Sequence, residues 1–275
     1  MLKHKEQTAS LIEAVIMDWA GTSVDFGSTA PIRGFQALFR KRGIEITEAE
    51  TRKPMGCEKR EHISQLLQMP RIQRAWQQRY GQHATVDDLD ELYREFVPLQ
   101  IHAISESSQL VPGLLSLLAW AEQKSIKIGA NTGYSETMVV GLLESAAKQG
   151  YQPQSNVCAT QVTKGRPYPY MCMTNAMQMG VMKLASCVKI DDTAPGIEEG
   201  LNAGMWTIAV AVSGNEVGLN LSQWQQLDLQ AQQKLRGQAE LKLQRAGAHY
   251  VVDSIADVIP CLVDIESRIA EGGKP

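Results

Sequence analysis

Four short stretches carry side chains that could do chemistry together. Asp18 ends the apolar run Ala14 to Met17 and is followed by the loop signal Ala20-Gly21-Thr22. Thr132 follows Ile126 to Ala130, inside Asn131-Thr132-Gly133. Asp191 and Asp192 follow Cys187 to Ile190, and a connecting segment carries Lys164-Gly165-Arg166-Pro167. The inventory is two or three carboxylates, a hydroxyl and two cations. Carboxylates and other hard oxygen donors suit Mg²⁺, which takes few protein carboxylates and readily adds phosphate oxygens. A hydroxyl and a cation suit a phosphoryl group at its most charged. One Asp after a strand is weak evidence, because such residues often only cap a helix. Four polar ends in order are much stronger.

For those ends to meet, the apolar runs must be neighbouring strands. Strands are expected at Ala14–Met17, Ile126–Ala130, Val157–Ala159, Cys187–Ile190, Trp206–Val212 and Ala248–Val252. Helical periodicity lies between them, at Ser135–Ala147, Tyr168–Met179 and Ile197–Ala203. Strand–helix alternation implies an α/β fold, a parallel sheet with right-handed crossovers whose carboxyl ends share one crevice. Between the first two strands the pattern is helical only: Ile32, Phe35, Leu38 and Phe39, then Ile63, Leu66 and Leu67, then Leu89, Leu92, Tyr93 and Phe96. We expect a core unit of residues 1–25 and 105–275 and an inserted helical unit of residues 26–104. The Gln-rich stretch Gln223 to Arg245 reads as one solvated amphipathic helix with Leu227, Leu235 and Leu241 inward.

Composition narrows the classes. The chain has 275 residues, 44% apolar and 21% charged, which fits about two domains with a real core and excludes wholesale disorder. Lys plus Arg number 27 against 30 Asp plus Glu, so the basic excess expected of a nucleic-acid binder is absent. No apolar run approaches the roughly 18 residues of a membrane span. Met1 to Ala14 has no signal-peptide core, so a cytoplasmic protein with no membrane partner is expected. Five cysteines, with no zinc-like spacing, read as reduced packing thiols, Cys57 included.

The motifs resemble those of the haloacid dehalogenase superfamily, and more narrowly those of its phosphonatase family. The resemblance rests on Met17-Asp18-Trp19-Ala20-Gly21-Thr22, Pro54-Met55-Gly56-Cys57-Glu58-Lys59-Arg60-Glu61-His62-Ile63, Asn131-Thr132-Gly133-Tyr134, Gly165-Arg166-Pro167, Asp192-Thr193 and Asn202-Ala203-Gly204-Met205-Trp206. It spans about Ala14 to Val258. It implies a doubly wound, Rossmannoid parallel-sheet core with an inserted helical cap, and a homodimer formed through the cap. The implied activity is Mg²⁺-dependent hydrolysis of the carbon–phosphorus bond of phosphonoacetaldehyde, a small-molecule phosphonate, in 2-aminoethylphosphonate breakdown. Asp18 is then the nucleophile that takes up phosphorus. Asp18, the backbone carbonyl of Ala20 and Asp192 hold the metal, and Thr132 and Arg166 grip the phosphonate. Lys59 on the cap forms a Schiff base with the aldehyde.

Two departures from the superfamily pattern carry chemistry. Ordinary superfamily phosphatases have a general acid two residues after the nucleophile, where this chain has Ala20. An alkoxide leaving group needs that proton. Carbon–phosphorus cleavage instead leaves a carbanion equivalent, which an iminium can absorb as an enamine, so losing the acid and gaining Lys59 make one chemical statement. A phosphate-monoester phosphatase or phosphomutase on the same fold is the alternative, and it lacks its acid. The second departure is Gly196, where many members have another Asp; Asp191 precedes Asp192 instead, and Asp192 is the preferred metal ligand. If Gly56 to Leu67 is helical, Met55, Lys59 and His62 share a face. His62 then either disfavours the ammonium or relays protons, and the spacing leaves both open. Tyr134 is a candidate to place a hydroxyl near the phosphonate or the nucleophile.

Overall fold

The structure, a computed structural model, describes residues 10–275; the expected start of the core unit, residues 1–9, lies outside them. The first strand, β1 (Ala14–Asp18), is buried along its whole length. Unbroken burial without alternation is what a parallel strand covered on both faces requires. Five helices follow: α1 (Thr29–Lys41), α2 (Glu48–Arg52), α3 (Lys59–Gln68), α4 (Pro70–Tyr80) and α5 (Val86–Ser105). Then come α6 (Leu114–Gln123), β2 (Lys127–Thr132), α7 (Glu136–Lys148), β3 (Ser155–Cys158), α8 (Tyr170–Gln178), β4 (Cys187–Asp191) and α9 (Ala194–Asn202). The chain closes with β5 (Trp206–Val210), α10 (Leu221–Gln225), α11 (Leu229–Arg245), β6 (Tyr250–Val252) and α12 (Val258–Ala270).

The six strands run in the order β3-β2-β1-β4-β5-β6, every neighbouring pair parallel. The chain winds outward from β1 to β3, then returns to β4 on the other side of β1. The carboxyl ends of β1, β2 and β4 therefore flank the switch point, where an open α/β sheet binds its ligand. This is the doubly wound parallel sheet that the sequence implies, with a helical insertion between β1 and β2.

The insertion has its own apolar packing. Phe35 of α1 stacks on Phe96 of α5 with ring centroids 4.3 Å apart, and Leu38, Phe39, Ile63, Leu66, Trp76 and Leu92 are buried around them. Its helix starts are written locally. Thr47 and Glu50 form a capping box on α2, and Thr85 and Asp88 form another on α5, each satisfying otherwise orphaned N–H groups.

Several expected boundaries move. The strand expected at Ile126–Ala130 runs to Thr132, which takes Asn131 and Thr132 into the sheet. The single helix expected over Gln223 to Arg245 is two, α10 and α11, with Asp228 capping the second through the Ala231 N–H at 2.8 Å. Leu241 is not inward: it is 55% exposed, while Ala239 and Leu243 are buried. The buried stripe steps by four residues from Ala239 to Leu243, with Leu235 half-buried one turn earlier, and Leu241 falls about 200° away from Ala239. The five cysteines are unpaired. Among the described residues, no helix is long and apolar enough to cross a membrane.

Candidate active site

A single cavity over the ends of β1, β2 and β4 is lined by Asp18, Ala20, Thr132, Arg166 and Asp192 from below. Met55, Gly56, Lys59 and Tyr134 also line it. Eight of the residues singled out in the sequence thus share one space. His62 does not line it; it is fully buried behind Lys59. Lys164 is elsewhere, donating to the Tyr168 hydroxyl at 3.3 Å.

The floor is a buried charge network. Asp18, Asp191 and Asp192 offer carboxylate oxygens that lie within 4.8 Å of one another. Arg166 Nη2 donates to Asp18 Oδ1 at 2.7 Å and to Asn131 Oδ1 at 2.6 Å, and its Nε donates to Glu199 Oε2 at 3.0 Å. Lys189, entirely buried on β4, donates to Asn131 Oδ1 at 2.6 Å and lies 3.0 Å from Asp191 Oδ2. Residues two apart on a strand share a face, so Lys189 and Asp191 meet under the sheet end. Asp191 also accepts from the Thr193 hydroxyl at 2.7 Å and from the Thr193 N–H at 3.0 Å.

Burial pushes Asp18 up, against the pull of Arg166, and the Asp191 charge adds to the rise. Burial, then Asp18 and Asp191, drive Asp192 well above the usual carboxylate range. Burial also opposes ionisation of Asp191, but Arg166 and Lys189 overcome it and hold that residue low. Four acids (Asp18, Asp191, Asp192, Glu199) face two fixed cations (Arg166, Lys189). An excess of two buried negative charges is what a divalent cation would neutralise.

The donor set fits such an ion. Asp192 Oδ2 accepts the Asn215 N–H at 2.7 Å, while its Oδ1 is buried with no hydrogen-bond partner. A buried carboxylate oxygen without a donor is costly unless a cation meets it. Asp191 is committed to Lys189, Arg166 and Thr193 and does not line the cavity; Asp192 does.

The roof presents an amine. The α3 helix starts at Lys59, not at Gly56, because the Glu58 carboxylate caps it by accepting from the Arg60 and Glu61 N–H groups at 2.9 and 3.0 Å. Met55 therefore reaches the cavity from the preceding turn and not along a helical stripe. Lys59 is 4% exposed, and its amine has no hydrogen bond or ion pair among the described residues. It lies 5.1 Å from the centre of the Tyr134 ring and 5.9 Å from that of Phe35. Burial lowers its pKa from 10.5 to about 8, with Asp18 opposing the shift. A first-turn position, at the positive end of the helix dipole, also disfavours an ammonium.

His62 stacks on Phe35 with centroids 3.9 Å apart, and its Nε2 is 2.8 Å from the Thr51 carbonyl oxygen. A carbonyl only accepts, so Nε2 carries the proton and Nδ1 is a bare acceptor with no partner. Burial first, then Lys59, hold His62 well below the usual imidazole range, so it is neutral. Burial, then Asp25, Asp18 and Asp192, push the Tyr134 phenol well above its ordinary value, so it keeps its proton. The Tyr134 hydroxyl accepts from Gln100 Nε2 at 3.4 Å.

Sequence reasoning missed Asn131, Lys189 and Glu199 as parts of the floor. Lys189 had a usable signal: an ammonium inside an apolar strand needs buried acids nearby. Glu199 had none, because a Glu on a helix normally faces water.

The residues 15–210 match the family model described as haloacid dehalogenase-like hydrolase. A phosphonoacetaldehyde hydrolase of Hahella chejuensis is 54% identical over 264 residues, covering 96% of this chain and 90% of that protein. One of Salmonella typhi is 43% identical, covering 96% of this chain and 99% of that protein. The crystal structure of a phosphonoacetaldehyde hydrolase-like protein from Oleispira antarctica is 47% identical, with a TM-score of 0.96 over 100% of both chains. A β-phosphoglucomutase structure from Clostridium difficile, at 20% identity and a TM-score of 0.68 over 94% of this chain and 99% of that one, is similar in fold.

Proposed function

The chain belongs to the phosphonoacetaldehyde hydrolases, within the haloacid dehalogenase-like hydrolases, and from that premise we propose that it hydrolyses phosphonoacetaldehyde to acetaldehyde and phosphate. The observation that carries this reading is the juxtaposition of Lys59 and Asp18 around one cavity, with Ala20 beside them in place of an acid. The amine is buried, without a hydrogen bond, and has a pKa of about 8, so a useful fraction is neutral near physiological pH.

The cavity is divided to match the substrate. Asp192, Thr132 and Arg166 offer a polar floor for the phosphonate, and Met55, Pro31 and the Tyr134 ring offer an apolar flank for two carbons. Neutral Lys59 attacks the aldehyde carbon, water leaves, and an iminium forms. The Asp18 carboxylate then attacks phosphorus, and the carbon–phosphorus bond pair moves into the iminium to give an enamine. Phosphorus is now on Asp18 as an acyl phosphate. The enamine is protonated on its terminal carbon, and water releases acetaldehyde from Lys59. A second water frees phosphate from Asp18. Neutral His62 places no second positive charge beside Lys59, and the protonated Tyr134 hydroxyl is suited to donating a hydrogen bond.

Asp18, Asp192 and the Ala20 carbonyl are the groups that would hold Mg²⁺, which when bound neutralises the carboxylate cluster and the phosphonate oxygens. No group at Ala20 can protonate an alkoxide, which disfavours a phosphate-monoester phosphatase or phosphomutase. We also propose residues 26–104 as a cap unit closing over the core unit of residues 1–25 and 105–275, a cytoplasmic setting in 2-aminoethylphosphonate breakdown, and a homodimer formed through the cap. A light-scattering mass of one chain rejects the dimer.

The test is to add borohydride with substrate and map the adduct by mass spectrometry. Reduction is expected to fix a two-carbon adduct on Lys59. An active enzyme whose Lys59 peptide stays unmodified sinks the Schiff-base reading.

A further inference from the structure

Resting on the reading that Asp192 holds the metal, we infer that Arg52 is a positioning residue that fixes the Asp192 carboxylate from the inserted helices. Arg52 is the last residue of α2, and its side chain is only 13% exposed. Its Nη1 donates to the Gly27 carbonyl at 3.1 Å, the Ser28 carbonyl at 3.4 Å and Asn215 Oδ1 at 3.2 Å. Its Nη2 donates to the Gly218 carbonyl at 2.8 Å. The guanidinium is pre-aimed by Glu48, one turn earlier on α2, whose Oε1 accepts from Nε at 2.9 Å and from Nη2 at 2.7 Å. A planar fork with fixed donors suits this task, because its direction is set once one edge is held.

Asn215 passes the constraint on. Its side-chain amide returns a hydrogen bond to the Arg52 carbonyl at 3.4 Å, and its backbone N–H donates to Asp192 Oδ2 at 2.7 Å. The loop of residues 213–218 is thus held between Arg52 on one side and Asp192 on the other. Arg52 packs closely on this loop: a Cβ on Gly218 would lie 2.5 Å from Arg52 Nε. With Oδ2 fixed by Asn215, the other oxygen, Oδ1, is the bare one. The docked position of α2 therefore sets which carboxylate oxygen is free to meet a cation. By linkage, metal at Asp192 strengthens docking of α2 by the same factor that docking strengthens metal binding.

The experiment titrates Mn²⁺, in place of Mg²⁺, into substrate-free protein and reads bound metal by electron paramagnetic resonance. Arg52→Ala is expected to weaken Mn²⁺ binding by tenfold or more, and Arg52→Lys by less. Asn215→Ala is expected to weaken it too, with the double variant Arg52→Ala/Asn215→Ala losing less than the product of the two. Arg42→Ala, which breaks the 2.8 Å pair with Glu95 of α5, away from α2, is expected to bind as the unaltered protein does. Mn²⁺ is also expected to slow amide exchange of α2 in the unaltered protein and not in Arg52→Ala. If Arg52→Ala does not fold, Arg52→Lys and Asn215→Ala carry the same comparison. Unaltered affinity in a folded Arg52 variant, or an equal loss in Arg42→Ala, overturns the inference. Absence of Mn²⁺ binding to the unaltered protein overturns the metal reading itself, and the two failures are told apart by that first titration.

Discussion

Gly56 and Thr193 are in contact across the active cavity: a Cβ on Gly56 would lie 2.5 Å from Thr193 Oγ1. Gly56 is on the turn that delivers Met55 and Lys59, and Thr193 caps α9 directly after Asp192. Gly56 also has φ +94°, a region that side-chain-bearing residues avoid. Gly56→Ala therefore strains the turn and pushes Lys59 away from Asp18. We expect kcat/KM to fall at least tenfold, since about 1 Å of misplacement costs about that or more. Borohydride trapping on Lys59 is expected to slow in step. Full turnover by Gly56→Ala would mean that this contact does not place the amine.

Lys59 is expected to cost stability as well as to supply function. A pKa lowered from 10.5 to about 8 means that the unfolded chain binds more protons than the folded one between those values. Stability from this residue therefore rises with pH from about 8 to 10.5 and is at its lowest below 8. The burial cost of the charged form is about 3 kcal/mol. Lys59→Met is expected to abolish turnover and to be more stable than the unaltered protein at pH 7, with the gap shrinking toward pH 10. Chemical denaturation at the two pH values measures it. Turnover is expected to rise as pH rises toward 8, because only the neutral amine attacks the aldehyde. A Lys59→Met variant less stable at pH 7, or a gap that widens with pH, contradicts the assignment.

Much of this site was visible in the residues. Asp18, Thr132 and Asp192 end apolar runs, and a parallel sheet brings such ends together, so their meeting follows from the alternation pattern. Lys59 was visible only through the motif around it, since a Lys on a helix is normally solvated. The supports were harder to see. Asn131 and Glu199 hold Arg166 through side chains that approach across 35 and 33 residues of chain, and local periodicity does not encode such pairs. The helix start at Lys59 was displaced because the Glu58 carboxylate, not a Ser or Thr, is the cap. Leu241 was misassigned because α11 is exposed on most sides, and its buried stripe is only Ala239 and Leu243.

Ala20 is the position at which this cavity departs from ordinary phosphatases. An acid there would stand in the same space as Lys59 and Asp18. A carboxylate near the amine stabilises the ammonium and raises its pKa. Ala20→Asp is expected to cut acetaldehyde release at least tenfold at pH 7, with part of the loss recovered at higher pH. Hydrolysis of p-nitrophenyl phosphate is expected to stay flat or rise, since a proton donor is now available for an alkoxide. Acetaldehyde release equal to that of the unaltered enzyme would show that Ala20 is not needed to keep the amine neutral.

Gly196 and Asp191 compete for one volume. A Cβ on Gly196 would run directly into the Asp191 carboxylate. That carboxylate is the counterion of Lys189 at 3.0 Å and of Arg166 at 3.2 Å, all three side chains being essentially buried. Moving it leaves two buried cations short of a partner, and breaking a buried pair costs about 3–5 kcal/mol. Gly196→Ala is therefore expected to lower stability by about 3 kcal/mol, although alanine is the better helix former. Gly237, in the middle of α11, supplies the contrast, because a Cβ there meets nothing within 4 Å. Gly237→Ala is expected to raise stability by about 0.5–1 kcal/mol. Urea denaturation of the two variants, made in parallel, tests the sign of each. Equal and small effects would show that the Asp191 carboxylate can move without loss, and that the floor of the site is softer than its charge network requires.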